Sequence, residues 1–364
     1  MPARKTVAPA VTATNPNTAD ANSFVGRVVA PLMRVLSDDA VSAVLNLSAL
    51  IPEIEDAFRM DAAGEVERPE RPHVPIGAGL DGDRRTGMDP QSIEESLGTA
   101  LVMPAYLHGS PYFVVKLANV HRGNVERGYP TVNATIALVA ADTGLPVGYM
   151  AGTRVTNART GCIGGLAARE LAVDGPITMG VIGAGAQARW QVRAIATTRE
   201  LEGVLVYSPS DSREVCAADL RDRGLPARAV DSPDAAVGTA DVVVTATTAS
   251  SPVFDGESLS PGTLVIAVGA YEESLRELDD RTVDRADRLF ADVPAEVAET
   301  GDFPRREPAD LTPLSAVLLG ESGRTDPEEI IVVGSVGTAV LDAAAAAFVH
   351  DRAVEAGVGT TVDL

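Results

Sequence analysis

The sequence predicts an α/β protein in which a doubly wound parallel sheet follows an α+β region. Three observations carry this. From residue 178 onward, short apolar runs alternate with helical patterns at the spacing of βαβ units. A glycine turn, Gly183-Ala184-Gly185, closes the first of those runs and opens a helix. Before residue 178, one helical pattern precedes β-branched runs punctuated by turn signals.

In chain order, residues 49–63 read as a helix. Ile51, Ile54, Phe58 and Ala62 share one face, and Gly64 stops it. Residues 68–91, rich in Pro, Gly and charge, read as loop or short edge strand. Residues 101–104 and 112–118 are apolar strands, the second carrying Lys116. Residues 131–140 form another strand, followed by the turn signal Asp142-Thr143-Gly144. The parallel part runs strand 178–182, helix 187–198, strand 203–208, helix 212–223, strand 227–230 and a further helix. Strands 241–245, 264–268, 288–291 and 330–333 complete it. Residues 338–356 are an Ala-rich helix stopped by Gly357 and expected to return to the first region.

The chain has 364 residues, 45% of them hydrophobic, enough for one large or two medium cores. Residues 1–32, rich in Ala, Thr, Asn and Pro, read as a disordered tail with no apolar run of signal-peptide length. No segment is apolar and long enough to span a membrane. Acidic residues number 51 against 30 basic, a formal net charge of −21 that argues against nucleic acid or an anionic membrane as partner. Two cysteines, Cys162 and Cys216, build no disulfide scaffold, so a reducing, cytoplasmic setting is expected. His73, His108 and His350 show no metal spacing with Cys or Asp, and no metal is expected. His121 reads as a surface-turn residue near the lysine strand, and Cys162 as a small packing residue.

Gly183, Gly185 and Ala188 occupy the three small positions of G-x-G-x-x-A after a strand and before a helix. Gly183 permits the tight turn, Gly185 lets backbone approach a pyrophosphate, and Ala188 lets helix pack on strand. The free N–H groups of the helix start then face the phosphates. This is the dinucleotide-binding turn of a Rossmann sheet. The second strand ends Tyr207-Ser208-Pro209-Ser210, without the carboxylate that holds an unphosphorylated ribose. Ser208, Ser210 and Arg213 suit a 2′-phosphate, so the reading favours NADP(H) over NAD(H).

Of the 30 basic residues, only Lys5 and Lys116 are lysines. Adaptation to high salt and high-GC codon bias both give that skew. Either way a retained lysine is informative. Arginine stays protonated, whereas a buried lysine can titrate in a working range. Lys116 is therefore the candidate for proton transfer or carbonyl polarisation. Arg71 and Arg159 are two of many arginines, and the fork of each suits a carboxylate.

The motifs Lys116-Leu-Ala-Asn-Val-His-Arg-Gly-Asn124, Gly128-Tyr-Pro-Thr-Val-Asn133, Asp142-Thr-Gly144, Thr156-Asn-Ala-Arg-Thr160, Gly183-Ala-Gly-Ala-Gln187 and Gly334-Ser-Val-Gly337 with Asp342 stand in this order. Together they resemble the ornithine cyclodeaminase/mu-crystallin family over roughly residues 33–359. The resemblance implies a homodimer in which residues 33–155, completed by 335–364, form the substrate-binding and dimerisation domain. Residues 156–334 form the Rossmann NAD(P)-binding domain. It implies Lys116 as the catalytic lysine and Arg71 and Arg159 as substrate-carboxylate ligands. The nucleotide contacts are then expected at Thr160, Gly183, Gly185, Ala186, Gln187, Ser208, Arg213, Thr245, Ala246, Val268 and Ser335. The substrate is a small amino, imino or 2-keto acid.

Two departures shape the functional reading. The cyclodeaminases carry a catalytic aspartate after the fifth Rossmann strand. Here the segment is Val268-Gly269-Ala270-Tyr271-Glu272-Glu273, with Tyr271 in its place and Glu272 one residue off. The family's common Asp-Gly before the Thr-x-x-Arg-Thr run is Ala151-Gly152. An amino-acid dehydrogenase or ketimine reductase is therefore expected. Ornithine cyclodeaminase, and a crystallin-like NADPH-dependent binding protein, stand as alternatives.

Overall fold

The computed structural model describes residues 32–77 and 96–363, which form two eight-stranded sheets with helices around and between them. The tail reading for residues 1–31 and the loop reading for 78–91 lie outside the described residues.

The first sheet is built from β1 (Leu32–Leu36), β2 (Val66–Glu67), β3 (His73–Ile76), β4 (Gly98–Leu107), β5 (Tyr112–Val120), β6 (Val132–Ala140) and β7 (Pro146–Ala151), closed by β16 (Thr360–Asp363). Their order is β16-β1-β7-β6-β5-β4-β2, with β3 also pairing β4. The β4–β7 pairs are antiparallel and β1 joins β7 in parallel. Helices α1 (Asp38–Val44), α2 (Leu47–Ala62) and α3 (Gly152–Leu171) belong to this half. Asn46 caps α2 by accepting from the Ala49 N–H at 3.1 Å. Ile51, Ile54 and Phe58 of α2 are buried, as the sequence periodicity marks, together with Leu50, whereas Ala62, expected on the same face, is exposed at the helix end.

The second sheet is parallel throughout, in the order β10-β9-β8-β11-β12-β15-β13-β14. Its strands are β8 (Ile177–Ile182), β9 (Leu201–Tyr207), β10 (Ala227–Ala229), β11 (Val242–Thr245), β12 (Leu264–Ala267), β13 (Arg288–Ala291), β14 (Thr312–Pro313) and β15 (Ile331–Gly334). The helices are α4 (Ala186–Ile195), α5 (Ser212–Arg221), α6 (Pro233–Val237), α7 (Asp280–Arg285), α8 (Pro294–Val297), α9 (Leu314–Leu318) and α10 (Ala339–Glu355). β11, β12 and β15 are buried at every residue and read as unbroken apolar runs, as strands covered on both faces must. The order in which successive strands are added reverses between β8 and β11, which pair in parallel. There an open α/β sheet presents ligands at its strand ends.

Helix α3 spans the expected boundary at 155/156 and packs against α2, α10 and β6 on one side and α4 and β12 on the other. Burial on both sides removes the amphipathic stripe by which a helix is recognised, and small residues replace it. A Cβ at Gly161 would stand 2.8 Å from the Trp190 carbonyl, and one at Gly164 would stand 1.8 Å from Gln191 Oε1. Helix α10 leaves β15 and packs on α1, α2, α3, β4 and β5. It thereby carries residues from the end of one sheet to the face of the other.

Candidate active site

Strand β5 lies between β4 and β6, and alternate residues point to the helical core: Val114, Lys116 and Ala118 are buried, while Phe113 and Leu117 are exposed. Lys116 thus occupies a core position, opposite Met103 and Ile136, with 1% of its surface exposed. Its ammonium donates to Oδ2 of Asp342, which lies in the first turn of α10. Arg159 of α3 donates through Nε to Oδ1 of the same carboxylate at 2.9 Å. The helix N-terminus of α10 adds favourable partial charge for that anion.

Burial pushes the Asp342 carboxyl up, but Arg159 and Lys116 outweigh it and hold it below the ordinary carboxylate range. Burial drives the Lys116 ammonium down. Asp342 opposes this, the charges of Arg159 and Arg71 add to it, and the balance falls at about 8. Two cations and one anion share the pocket, so the trio keeps a surplus positive charge suited to an incoming carboxylate.

Arg159 depends on the turn before α10. Gly337 has φ +76°, and a Cβ there would stand 2.0 Å from Arg159 Nη1. That turn is anchored by Asp292, which accepts from Ser335 Oγ at 2.7 Å and from the Gly337 N–H at 2.7 Å. Arg71 approaches from the segment before β3, its guanidinium 2.6 Å from Glu296 of α8, which also accepts from Arg68 at 2.6 Å. A cleft of about 860 Å³ opens here, lined by Arg71, His73, Tyr271, Glu272 and Glu296. Burial and Glu272 push the Tyr271 phenol up, against the hydrogen bond from Arg122. Glu272 is held by Arg122 and by Ser274 Oγ.

The glycine turn sits at the reversal between β8 and β11. Gly183 has φ +112°, and a Cβ there would stand 2.4 Å from the Ala246 carbonyl. Nothing lies within 4 Å of a Cβ built on Gly185, so the backbone is open where a phosphate would approach. No side chain caps α4, and its first N–H groups are available to an anion. Ala186 opens that helix, and Gln187 donates to Asn157 Oδ1 at 2.8 Å while its own buried Oε1 has no partner. These features fit a bound dinucleotide.

Thr245, Ala246, Val268 and Ser335 line the carboxyl ends of β11, β12 and β15. Two of their side chains are committed within the protein: Thr245 donates to Glu277 and Ser335 to Asp292. Thr160 donates to the Thr156 carbonyl. Ser208 follows β9, and Arg213 donates from Nη1 to its carbonyl at 3.1 Å, leaving the buried Nε without a partner. Asp342, Asp292 and Glu277 were not singled out as site residues from sequence. Among the described residues no cluster of His, Cys, Asp and Glu could hold a metal. No helix of the described chain is long and apolar enough to cross a membrane.

A parallel sheet with this turn at its reversal defines a dinucleotide-binding Rossmann fold, here joined to a second sheet carrying a buried lysine. The sequence model of the ornithine cyclodeaminase/mu-crystallin family matches residues 33–357, and the chain belongs to that family. It is 34% identical over 276 residues to the Delta(1)-pyrroline-2-carboxylate reductase of Bacillus cereus, covering 73% of this chain and 85% of that protein. Among solved structures it resembles Delta(1)-pyrroline-2-carboxylate reductase of Thermococcus litoralis in complex with NADH and L-proline. The TM-score is 0.83 at 30% identity, over 91% of this chain and all of that one. An archaeal alanine dehydrogenase dimer with bound NAD gives a TM-score of 0.81 at 27% identity, over 92% of this chain and 99% of that one.

Proposed function

We propose that this chain is an NAD(P)(H)-dependent oxidoreductase that interconverts a small amino acid and its imino or 2-keto acid. The observation that carries this is the buried Lys116, bonded to Asp342, facing the charges of Arg159 and Arg71 and held near pH 8, in a chain whose parallel sheet carries a dinucleotide turn. Arg159 and Arg71 bind the substrate carboxylate and orient its α-carbon, an effect that can supply several kcal/mol of the barrier. A 2-keto acid first condenses with ammonia or an amine to the imine, releasing water; Lys116 gives its proton to the imine nitrogen as hydride reaches the carbon, and takes it back during oxidation. When bound, the cofactor supplies or accepts the hydride. Thr160, Gly183, Gly185, Ala186, Gln187, Thr245, Ala246, Val268 and Ser335 would hold it.

Tyr271 in the cleft wall favours this reading over the cyclodeaminase, which needs a carboxylate there to handle the second amine and the leaving ammonia. The purified protein should consume reduced cofactor with Delta(1)-pyrroline-2-carboxylate, or with a 2-keto acid plus ammonia or methylamine. Proline appearing from ornithine with no net change in nicotinamide absorbance would establish the cyclodeaminase instead. Tight binding of NADPH with no turnover of any of these would establish the binding protein.

NADP(H) is the preferred cofactor in this reading, with Ser208 and Arg213 at the 2′-phosphate. Arg213→Ala should lower kcat/KM with NADPH by about 10- to 100-fold and leave that with NADH nearly unchanged, since one charge-assisted contact is worth roughly 1.5–3 kcal/mol. Equal losses with both cofactors would remove Arg213 from that role.

A homodimer completes the proposal. The face of the first sheet turned away from its helices exposes Phe113 and Leu117 on β5 and Tyr149 on β7, with β6 between them, at 37–42%. An apolar sheet face of this kind is a place for a partner, and a second copy is favoured because the similar archaeal dehydrogenase is a dimer. Light scattering should give twice the chain mass, and Leu117→Glu should halve it. A wild-type monomer at micromolar concentration would refute the arrangement.

A further inference from the structure

Glu277 is fully buried, in the loop between β12 and α7, and points back beneath the carboxyl ends of the parallel sheet. Its Oε1 accepts the Thr247 N–H at 2.5 Å, just beyond β11. Its Oε2 accepts the Gly269 N–H at 2.8 Å, just beyond β12, and the Thr245 hydroxyl at 2.8 Å. One carboxylate therefore ties together the two loops that follow adjacent strands. The loops are also in direct contact. A Cβ at Gly269 would stand 2.3 Å from the Thr247 carbonyl and 2.5 Å from the Glu277 carboxyl.

The segment bearing Glu277 is itself fixed from behind. Asp302 accepts the backbone N–H groups of Glu277 at 2.6 Å and Leu278 at 2.8 Å. Burying a second carboxylate so close is costly. Burial, then Asp302, push the Glu277 carboxyl up to about 7, against the opposing bonds from Thr247 and Thr245. A core that needed only volume would use an apolar residue here. What a carboxylate uniquely supplies is two equivalent acceptors, one for each loop's amide. A carboxamide has one oxygen, so one amide would face an NH2 group and lose its partner.

We propose that Glu277 is a positioning residue that sets the spacing of the Thr245–Thr247 and Val268–Gly269 loops and thereby the seat of the nicotinamide end of the cofactor. The proposal rests on the dinucleotide reading above. On that reading the adenosine end would be held at the other side of the reversal, by residues following β8 and β9, whereas the Glu277 carboxylate bonds to the loops after β11 and β12. The two ends of the cofactor should therefore respond differently to its loss.

The test compares wild type and Glu277→Gln by fluorescence titration and calorimetry, with the preferred reduced cofactor and with the matching ADP-ribose fragment that lacks nicotinamide. The expected result is an increase of about tenfold or more in Kd for the whole cofactor, with the fragment bound within twofold of wild type. A general structural role would weaken both ligands alike, and either that or no change in either would overturn the proposal. If Glu277→Gln does not fold, Thr245→Val removes one of the three donors at constant shape. It should give the same selective loss at severalfold, and an unselective or absent effect would overturn the proposal equally. Wild type binding neither NADH nor NADPH would overturn both this inference and the proposed function. Wild type binding the cofactor, with a variant that matches it, would overturn this inference alone.

Discussion

Lys116→Met should abolish most turnover, by about 100- to 10 000-fold, while cofactor Kd stays within twofold of wild type. The lysine is the proton carrier of the charged trio near neutrality, because arginine side chains do not titrate there and Asp342 is held below the ordinary carboxylate range. Stability should not fall. The trio carries two positive charges and one negative, and the substitution leaves Asp342 paired one-to-one with Arg159 at 2.9 Å. Methionine also fills the lysine stem's volume without a charge to desolvate. The pH dependence follows from the same group. In the reductive direction Lys116 must hold its proton, so wild-type turnover declines as pH rises through about 8. In the oxidative direction it must be neutral, so turnover climbs through the same value. The residual rate of the variant should show neither limb. Stopped-flow rates in both directions between pH 6 and 10, with unfolding curves, check each part; retained turnover would remove Lys116 from the mechanism.

The parts of this site that sequence reveals are those whose chemistry is rare in the chain. A lysine kept in a strand of a chain almost without lysine is conspicuous, and the glycine turn has a fixed spacing that steric limits impose. The parallel strands are equally plain, since β11, β12 and β15 are short apolar runs with no polar face. Glu277 has no such signal, and Asp342 is marked only as the end of the closing Gly334–Gly337 motif, with no role attached. Each is one of 51 acidic residues, and what distinguishes them is burial against partners brought together only by the fold: Thr245 and Asp302 around Glu277, Lys116 and Arg159 around Asp342. Helix α3 was missed apart from its Thr156–Thr160 motif because its Gly and Ala residues serve two neighbours at once and leave no stripe. Strand β7 and the exposed β16 were missed because one is six residues with an internal glycine and the other has no buried face. The pairing of Arg71 with Glu296 is tertiary in origin, uniting the first sheet's edge with a helix of the second.

Asp342→Asn should be the most destabilising single change at the site, by about 3–5 kcal/mol, because it leaves two buried cations with no counter-charge. The size of the loss should depend on pH, with a sign that the lysine sets. In wild type Lys116 has a native value near 8, below its ordinary 10.5. Between those values the unfolded chain binds the extra proton, so stability rises with pH across that window and gains nothing from this group below it. Without Asp342 the lysine loses the partner that holds its proton, and its native value drops further. The variant's rise therefore begins at lower pH than the wild type's. The deficit should be greatest in acid, narrow as pH approaches 8, and level off above it. It should not vanish, because an arginine does not shed its charge in this range, and that of Arg159 then faces a neutral amide. Lys116→Met combined with Asp342→Asn should recover part of the loss at pH 6 and little at pH 9, where the lysine of the single variant is already neutral. Urea unfolding of the four proteins at both pH values measures this directly. A deficit independent of pH, or a double variant no more stable than Asp342→Asn at pH 6, would show that the carboxylate does not balance the lysine.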